Sequence, residues 1–152
     1  MTELFEPIKL RGVTFRNRVG MSPMCQYSYK DGFSDEWQVA HLGSRAIGVA
    51  GLILTEATAV SPIGRISSKD AGIWSDAHVK PLENVTRLIL SQGAVAGIQL
   101  AHAGRKPCVV RPWDGGKPVD RSDPDWWESV GASPIAFNDQ YQVPHELTKD
   151  EI

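Results

Sequence analysis

Apolar residues along this chain gather into three near-continuous runs: RVGMSP around residue 19, GLILTEA around residue 53 and AVAGIQLA around residue 97. Runs without polar alternation are the pattern of parallel strands buried on both faces. Between the first two, residues Asp35 to Gly48 carry Val39, Leu42 and Ala46 at helical spacing behind Ser34, the predicted N-cap. Between the second and third, residues 58 to 75 read as a loop, and Leu82, Val85 and Ile89 mark a helix that SQG ends. Pro81 disfavours helical geometry at Lys80 and leaves the start of that helix open. Ahead of all three, IKLRGVTFRN at residues 8 to 17 holds two short β-prone runs around Arg11-Gly12, which predicts a hairpin lidding one end of a larger fold.

Strand, helix, strand, helix, strand means either a doubly wound sheet or a (β/α) barrel. The connections after strands are long and rich in Gly, Pro and polar residues, whereas those after helices are as short as GVAG and SQGA. That asymmetry is the pattern of a barrel whose site lies at the C-terminal ends of its strands. The G-x-G-x-x-G opening of a dinucleotide-binding fold is absent. The expected fold class is therefore α/β, a (β/α)8 TIM barrel of which this chain supplies an N-terminal hairpin and about the first three βα units. Such barrels typically need about 250 residues. LTKDEI, with Thr148 and Glu151 at capping-box spacing, signals a helix about to begin. Residues 1–152 are expected to be the N-terminal part of a single barrel domain.

Composition narrows the function classes. With 41% hydrophobic and 22% charged residues and a net charge of −2, the chain lacks the basic excess that phosphate-backbone binding requires. Nucleic acid is excluded as a partner on that ground, and a membrane by the lack of any apolar run near 18 residues. Glu3 and Glu6 stand where a signal peptide would be basic and then apolar, so a cytoplasmic setting is expected. The two cysteines, Cys25 and Cys108, read as free thiols. No C-x-x-C or H-x-x-x-H spacing supports a metal site.

MSPMCQYS places a thiol and a tyrosine two residues apart in the loop after the first strand, where α/β proteins keep their chemistry. Cys25 alone reads equally as a buried structural thiol, and Tyr27 as a loop anchor. Gln99 is the only polar side chain in the third apolar run, and such a group must find a partner. The third loop, residues 101–147, holds RPWDGG, SDPDWWES and PHEL. Loops this long inside compact domains are functional or interfacial, and Trp126-Trp127 are read as covering a pocket or an interface. His41, His78 and His145 read as surface or helix-face residues.

Four segments together, FEPIKLRGVTFRNRVGMSPMCQYS, LILTEATAVSPIGRIS, AGIWSDAHV and GIQLAHAGRK, resemble the N-terminal part of the Old Yellow Enzyme family of NADH:flavin oxidoreductases, in its xenobiotic-reductase-like class of bacterial ene-reductases. The resemblance implies that Ser22, Pro23, Met24 and Cys25 lie along the flavin of FMN, several through backbone groups. It makes Cys25 the thiol beside the isoalloxazine edge and Tyr27 the tyrosine facing the substrate. Ala57 matches the small residue packed on the flavin ring, and Gln99 the amide reading its pyrimidine edge. A weak S–H donor there would tune the flavin's redox behaviour, and a Gln amide offers adjacent donor and acceptor to a flat ring. His102 and Arg105, from HAGR, are expected at the pocket rim or a subunit contact.

The resemblance further implies an FMN-dependent NADPH (or NADH) dehydrogenase that passes a hydride to the β-carbon of an enone or nitroalkene. Groups that polarise the activating oxygen would stabilise the enolate-like charge. It implies a homo-oligomer when complete, with the rest of the barrel supplying the substrate anchor, the usual proton donor and the phosphate site. Two alternatives stand beside it: a hydrolase or transferase with Cys25 as nucleophile and His41 or His102 as base, and a non-catalytic split half acting as an assembly module.

Overall fold

Ile8–Leu10 (β1) and Val13–Phe15 (β2) pair antiparallel, Ile8 opposite Phe15 and Leu10 opposite Val13, in the computed structural model, which describes residues 3–152. Arg11 takes the turn at φ 52°. The hairpin lies at the entrance of the main sheet, where Ile8, Leu10 and Phe15 share an apolar recess with Val19, Gly20 and Leu52. The expected lid therefore sits at the N-terminal ends of the strands.

The main sheet consists of Gly20–Met21 (β3), Leu52–Ala59 (β4), Ala71–Gly72 (β5) and Val95–Ala101 (β6), all parallel. β3 flanks the first half of β4, β5 its last two residues, and β6 the opposite side. The three main strands thus follow one another in chain order, with no reversal of the kind that marks a doubly wound sheet. Glu36–Ile47 (α1) and Val79–Ser91 (α2) pack on one face of it. Met21 and Ile53 meet Leu42, Ala46, Val85 and Ile89 there, Ile53 and Ala46 with no exposed surface at all. Gly43 leaves room for Leu88, so the two helices approach closely.

Both helix starts differ from the sequence reading. Asp35, not Ser34, caps α1: its carboxylate accepts the Trp37 N–H at 2.9 Å, while the Gln38 amide oxygen accepts the Asp35 N–H at 2.8 Å. A carboxylate with a Gln three residues on closes a reciprocal box that Ser34 cannot. Pro81 lies inside the first turn of α2, where a missing N–H removes no hydrogen bond, and the preceding 3-10 turn Asp76–His78 leads straight in.

Arg16 and Asn17 tie the hairpin to the far ends of both helices. The Arg16 guanidinium donates to the carbonyls of Ala46 (2.7 Å), Ala50 (2.9 Å) and Gln92. A cation at two helix C-termini satisfies orphan carbonyls and meets the favourable end of each dipole. The Asn17 amide donates to the Val49 carbonyl at 2.6 Å and supports the left-handed backbone of that β-branched residue, φ 74°. Arg16→Ala is expected to lower stability by about 2–4 kcal/mol in urea unfolding, since three carbonyls lose a charged donor. A loss under about 0.5 kcal/mol would show that water replaces the guanidinium.

After β6, residues 102–152 are mostly irregular, with one short parallel pair, Val130–Gly131 (β7) and His145–Glu146 (β8). Trp127 fastens this excursion: its indole N–H donates to the Ile63 carbonyl at 3.0 Å, and Arg65 lies over both Trp127 and Trp74. The capping-box contact of LTKDEI is made, Glu151 accepting the Thr148 N–H at 2.8 Å. Among the described residues no helix is long and apolar enough to cross a membrane.

Candidate active site

The loop from Ser22 to Tyr29 leaves β3 at its C-terminal end, and Ala57 and Gln99 lie beyond the middle of the neighbouring strands. Leu54 pairs with Gly97 and, after an irregularity in β4, Ala57 pairs with Gln99. Paired residues of parallel strands share a face, so these four lie opposite the helix-covered face of Ile53 and Ala96. The missing side chain of Gly97 lets Leu54 lie across it. Ala57 is thus a small residue directly beside the Gln99 amide. Gln99 is exposed rather than buried, and among the described residues its side chain makes no hydrogen bond, which leaves its amide free on this face.

Ser22 and Met24 are exposed, and Pro23, Cys25 and Tyr27 are half-buried along the same rim. Burial first, then the charge of Glu56, pushes the Cys25 thiol above its ordinary range, against the pull of the Ala57 N–H and the Tyr27 hydroxyl. Tyr27 adopts a left-handed backbone, φ 49°, and burial pushes its hydroxyl up to about 12. A non-glycine residue in that region marks a conformation the surroundings impose. Two anchors impose it: the Gln26 N–H donates to the Glu56 carboxylate at 2.7 Å, and Ser28 accepts from Gln38 of α1 at 2.7 Å. The Tyr27 ring meets Trp113 edge to face at 5.8 Å.

Two buried carboxylates stand behind this rim. Glu56, 4% exposed, is pushed up to about 7, chiefly by burial. Asp70 is also raised by burial, although it accepts from the Ile66 N–H (2.6 Å) and the Ser67 N–H and hydroxyl (3.1 and 2.7 Å). Tyr29, buried against Glu56, is driven upward by burial and by that charge.

The nucleophile alternative finds no support in this geometry. His41 is buried on α1 beside Trp37, and the His102 ring accepts from the Gly104 N–H at 3.0 Å; neither bonds Cys25. A thiol raised by burial is the reverse of an activated one. Of the histidines expected at the surface or on a helix face, His41 is on α1 but buried, and His78 is buried in the turn ahead of α2. His78 is buried between Phe33 and Trp74 and bonds the Asp31 carbonyl at 3.0 Å, because the Asp31-Gly32 turn closes over it. His102 packs on Gly64 and Arg105 faces Phe137. Cys25 and Cys108 are both unbridged. Among the described residues no group of acidic, His or Cys side chains could hold a metal ion.

Glu56, Asp70 and Trp113 were not legible as site residues. A single acid inside LILTEATA was a usable signal for Glu56, since a charge in a buried strand needs partners. Nothing in spacing points to Trp113, whose contact with Tyr27 spans two loops.

Comparison with known proteins agrees with this fold. The chain is 46% identical over 153 residues to an NADPH dehydrogenase of Geobacillus sp. (strain WCH70), covering 99% of this chain and 40% of that protein. Among solved structures, it resembles morphinone reductase with TM-score 0.78 at 28% identity, covering 97% of this chain and 40% of that one. It resembles the old yellow enzyme from Trypanosoma cruzi with TM-score 0.77 at 31% identity, covering 98% of this chain and 43% of that one. The chain thus spans about 40% of the length of these relatives, and its consecutive parallel strands are the first part of their TIM barrel. The characteristic sequence pattern of one family runs through residues 3–152. With hairpin and strand order in place, the chain belongs to the NADH:flavin oxidoreductase / NADH oxidase family.

Proposed function

We propose that residues 1–152 form the N-terminal part of a single FMN-binding barrel domain, that of an NADPH (or NADH) dehydrogenase reducing alkenes activated by a carbonyl or nitro group. The observation that carries this reading is the register pairing of Ala57 with Gln99 on the face away from the helices, beside the Ser22–Cys25 rim. A small residue next to an unpartnered amide suits a flat ring whose edge presents donor and acceptor together. FMN, when bound, supplies the redox chemistry. The residues present would hold it as follows: Gln99 reads the ring edge, Ala57 leaves the ring its thickness, and Ser22, Pro23 and Met24 line its side. Cys25 stays a protonated thiol beside it. Tyr27, protonated throughout the neutral range, donates to the activating oxygen of a small enone or nitro substrate.

NADPH as reductant rests on the names of the relatives, NADPH dehydrogenases among them. The remaining barrel strands are the chief partner, and the finished enzyme is proposed to be a cytoplasmic homo-oligomer. The test is Cys25→Ala in the barrel completed with its C-terminal portion. FMN should stay bound while its reduction potential shifts on the order of 30 mV, equivalent to about 1.4 kcal/mol for two electrons. Cys25→Ser should shift it less, because the hydroxyl still donates. An unchanged potential removes Cys25 from the redox role.

A further inference from the structure

β4 carries one charged side chain, Glu56, and it is buried at the point where pairing with β6 slips between Leu54 and Ala57. A bulge of this kind re-aims a side chain. Here the carboxylate reaches the loop after β3, where Oε2 accepts the Gln26 N–H at 2.7 Å and lies against the Tyr27 backbone and the Tyr29 hydroxyl. The backbone of Ala57, the next residue, lies beside the Cys25 thiol. Two consecutive residues of one strand therefore stand directly behind the Cys25–Tyr27 segment, and Glu56 is bonded to its middle.

We propose that Glu56 is a positioning residue for Cys25 and Tyr27: its carboxylate fixes the left-handed turn that presents them and sets its charge beside the thiol. The inference deepens the flavin reading but its first part needs no flavin. The titratable groups facing Glu56 are Cys25, Tyr27 and Tyr29 from the loop and Asp70 from the turn before β5, with Asp35 beyond Tyr29 and Arg65 beyond Asp70. The tyrosine hydroxyls remain neutral through the working range. Among the described residues no Lys or Arg pairs with Glu56. Its uncompensated charge, acquired as pH rises through about 7, then acts on the thiol.

The sign follows directly. Below about 7 the carboxyl is neutral and burial is the main opposition to the thiolate; above it, the carboxylate adds its own opposition to a second negative charge nearby. The test measures iodoacetamide alkylation of Cys25 in the 152-residue chain, by peptide mass across that range. The logarithm of the rate should rise with pH, flatten near 7, then rise again. In Glu56→Gln the shoulder should vanish, and alkylation above it should be about tenfold faster, the equivalent of one pKa unit. Buried Cys108 gauges unfolding in the same digest. If the variant exposes Cys108, the wild-type profile alone decides. A single unbroken slope through 7 in the wild type overturns the proposal. Failure of the flavin reading is separate: it would leave this shoulder intact while Cys25→Ala left the flavin potential unmoved.

Discussion

Replacing Gln99 with leucine in the completed barrel is expected to weaken FMN binding by about tenfold or more. Gln99 stands opposite Ala57 on the open face of the sheet, exposed and, among the described residues, without a hydrogen-bond partner. An amide that the fold itself does not satisfy is available to a ligand. Leucine keeps the volume and removes both donor and acceptor, leaving ring groups unpaired in a dry site at roughly 1–3 kcal/mol per group. Folding should be unaffected, because Gln99 packs into no part of the helix-side core. Flavin fluorescence titration separates the two effects. Wild-type affinity in a folded variant would place Gln99 away from the ring.

Strand and helix alternation was legible because it is written in local periodicity. Val39, Leu42 and Ala46, and then Leu82, Val85 and Ile89, mark helix faces by spacing alone, and Leu42, Ala46, Val85 and Ile89 form the core against β3, β4 and β6. The candidate rim was read from resemblance instead: SPMC, TEATA and IQLAHAGR are family patterns, and Cys25, Ala57 and Gln99 lie toward one end of the sheet. What stayed hidden depends on contacts distant in sequence. The slip between Leu54 and Ala57 is a property of two strands together, and it is what buries Glu56 against Gln26. Tyr27 looks unconstrained in sequence, yet Glu56 and α1 together impose its left-handed backbone. Trp126 and Trp127 line a recess with Lys30, Asp31 and Arg65, but nothing local foretells that the Trp127 indole bonds the Ile63 carbonyl. His78 is buried by a turn that lies 47 residues away.

By themselves, residues 1–152 are expected to hold FMN weakly and to turn over nothing. β6 lacks a partner on its outer side among the described residues. Ile98 and Leu100, on the side of β6 that faces the helices, are 40% and 62% exposed. An open strand edge beside uncovered apolar side chains favours pairing with another chain. The same openness limits the ligand. Ser22–Cys25, Ala57 and Gln99 offer contacts to one side of a ring, while the phosphate site of such barrels is built by the loops after the seventh and eighth strands. Mixing this chain with the C-terminal portion of a relative such as the Geobacillus dehydrogenase should cover β6 and supply that site. The product should be yellow and should oxidise NADPH with 2-cyclohexenone as acceptor. Size-exclusion chromatography, with flavin absorbance read across the peaks, checks both halves of the expectation. A soluble monomer of residues 1–152 that retains FMN at one per chain and turns over unaided would overturn it, because the contacts on this sheet would then suffice without a phosphate anchor. A stable but colourless mixed complex would instead favour an assembly module without catalysis.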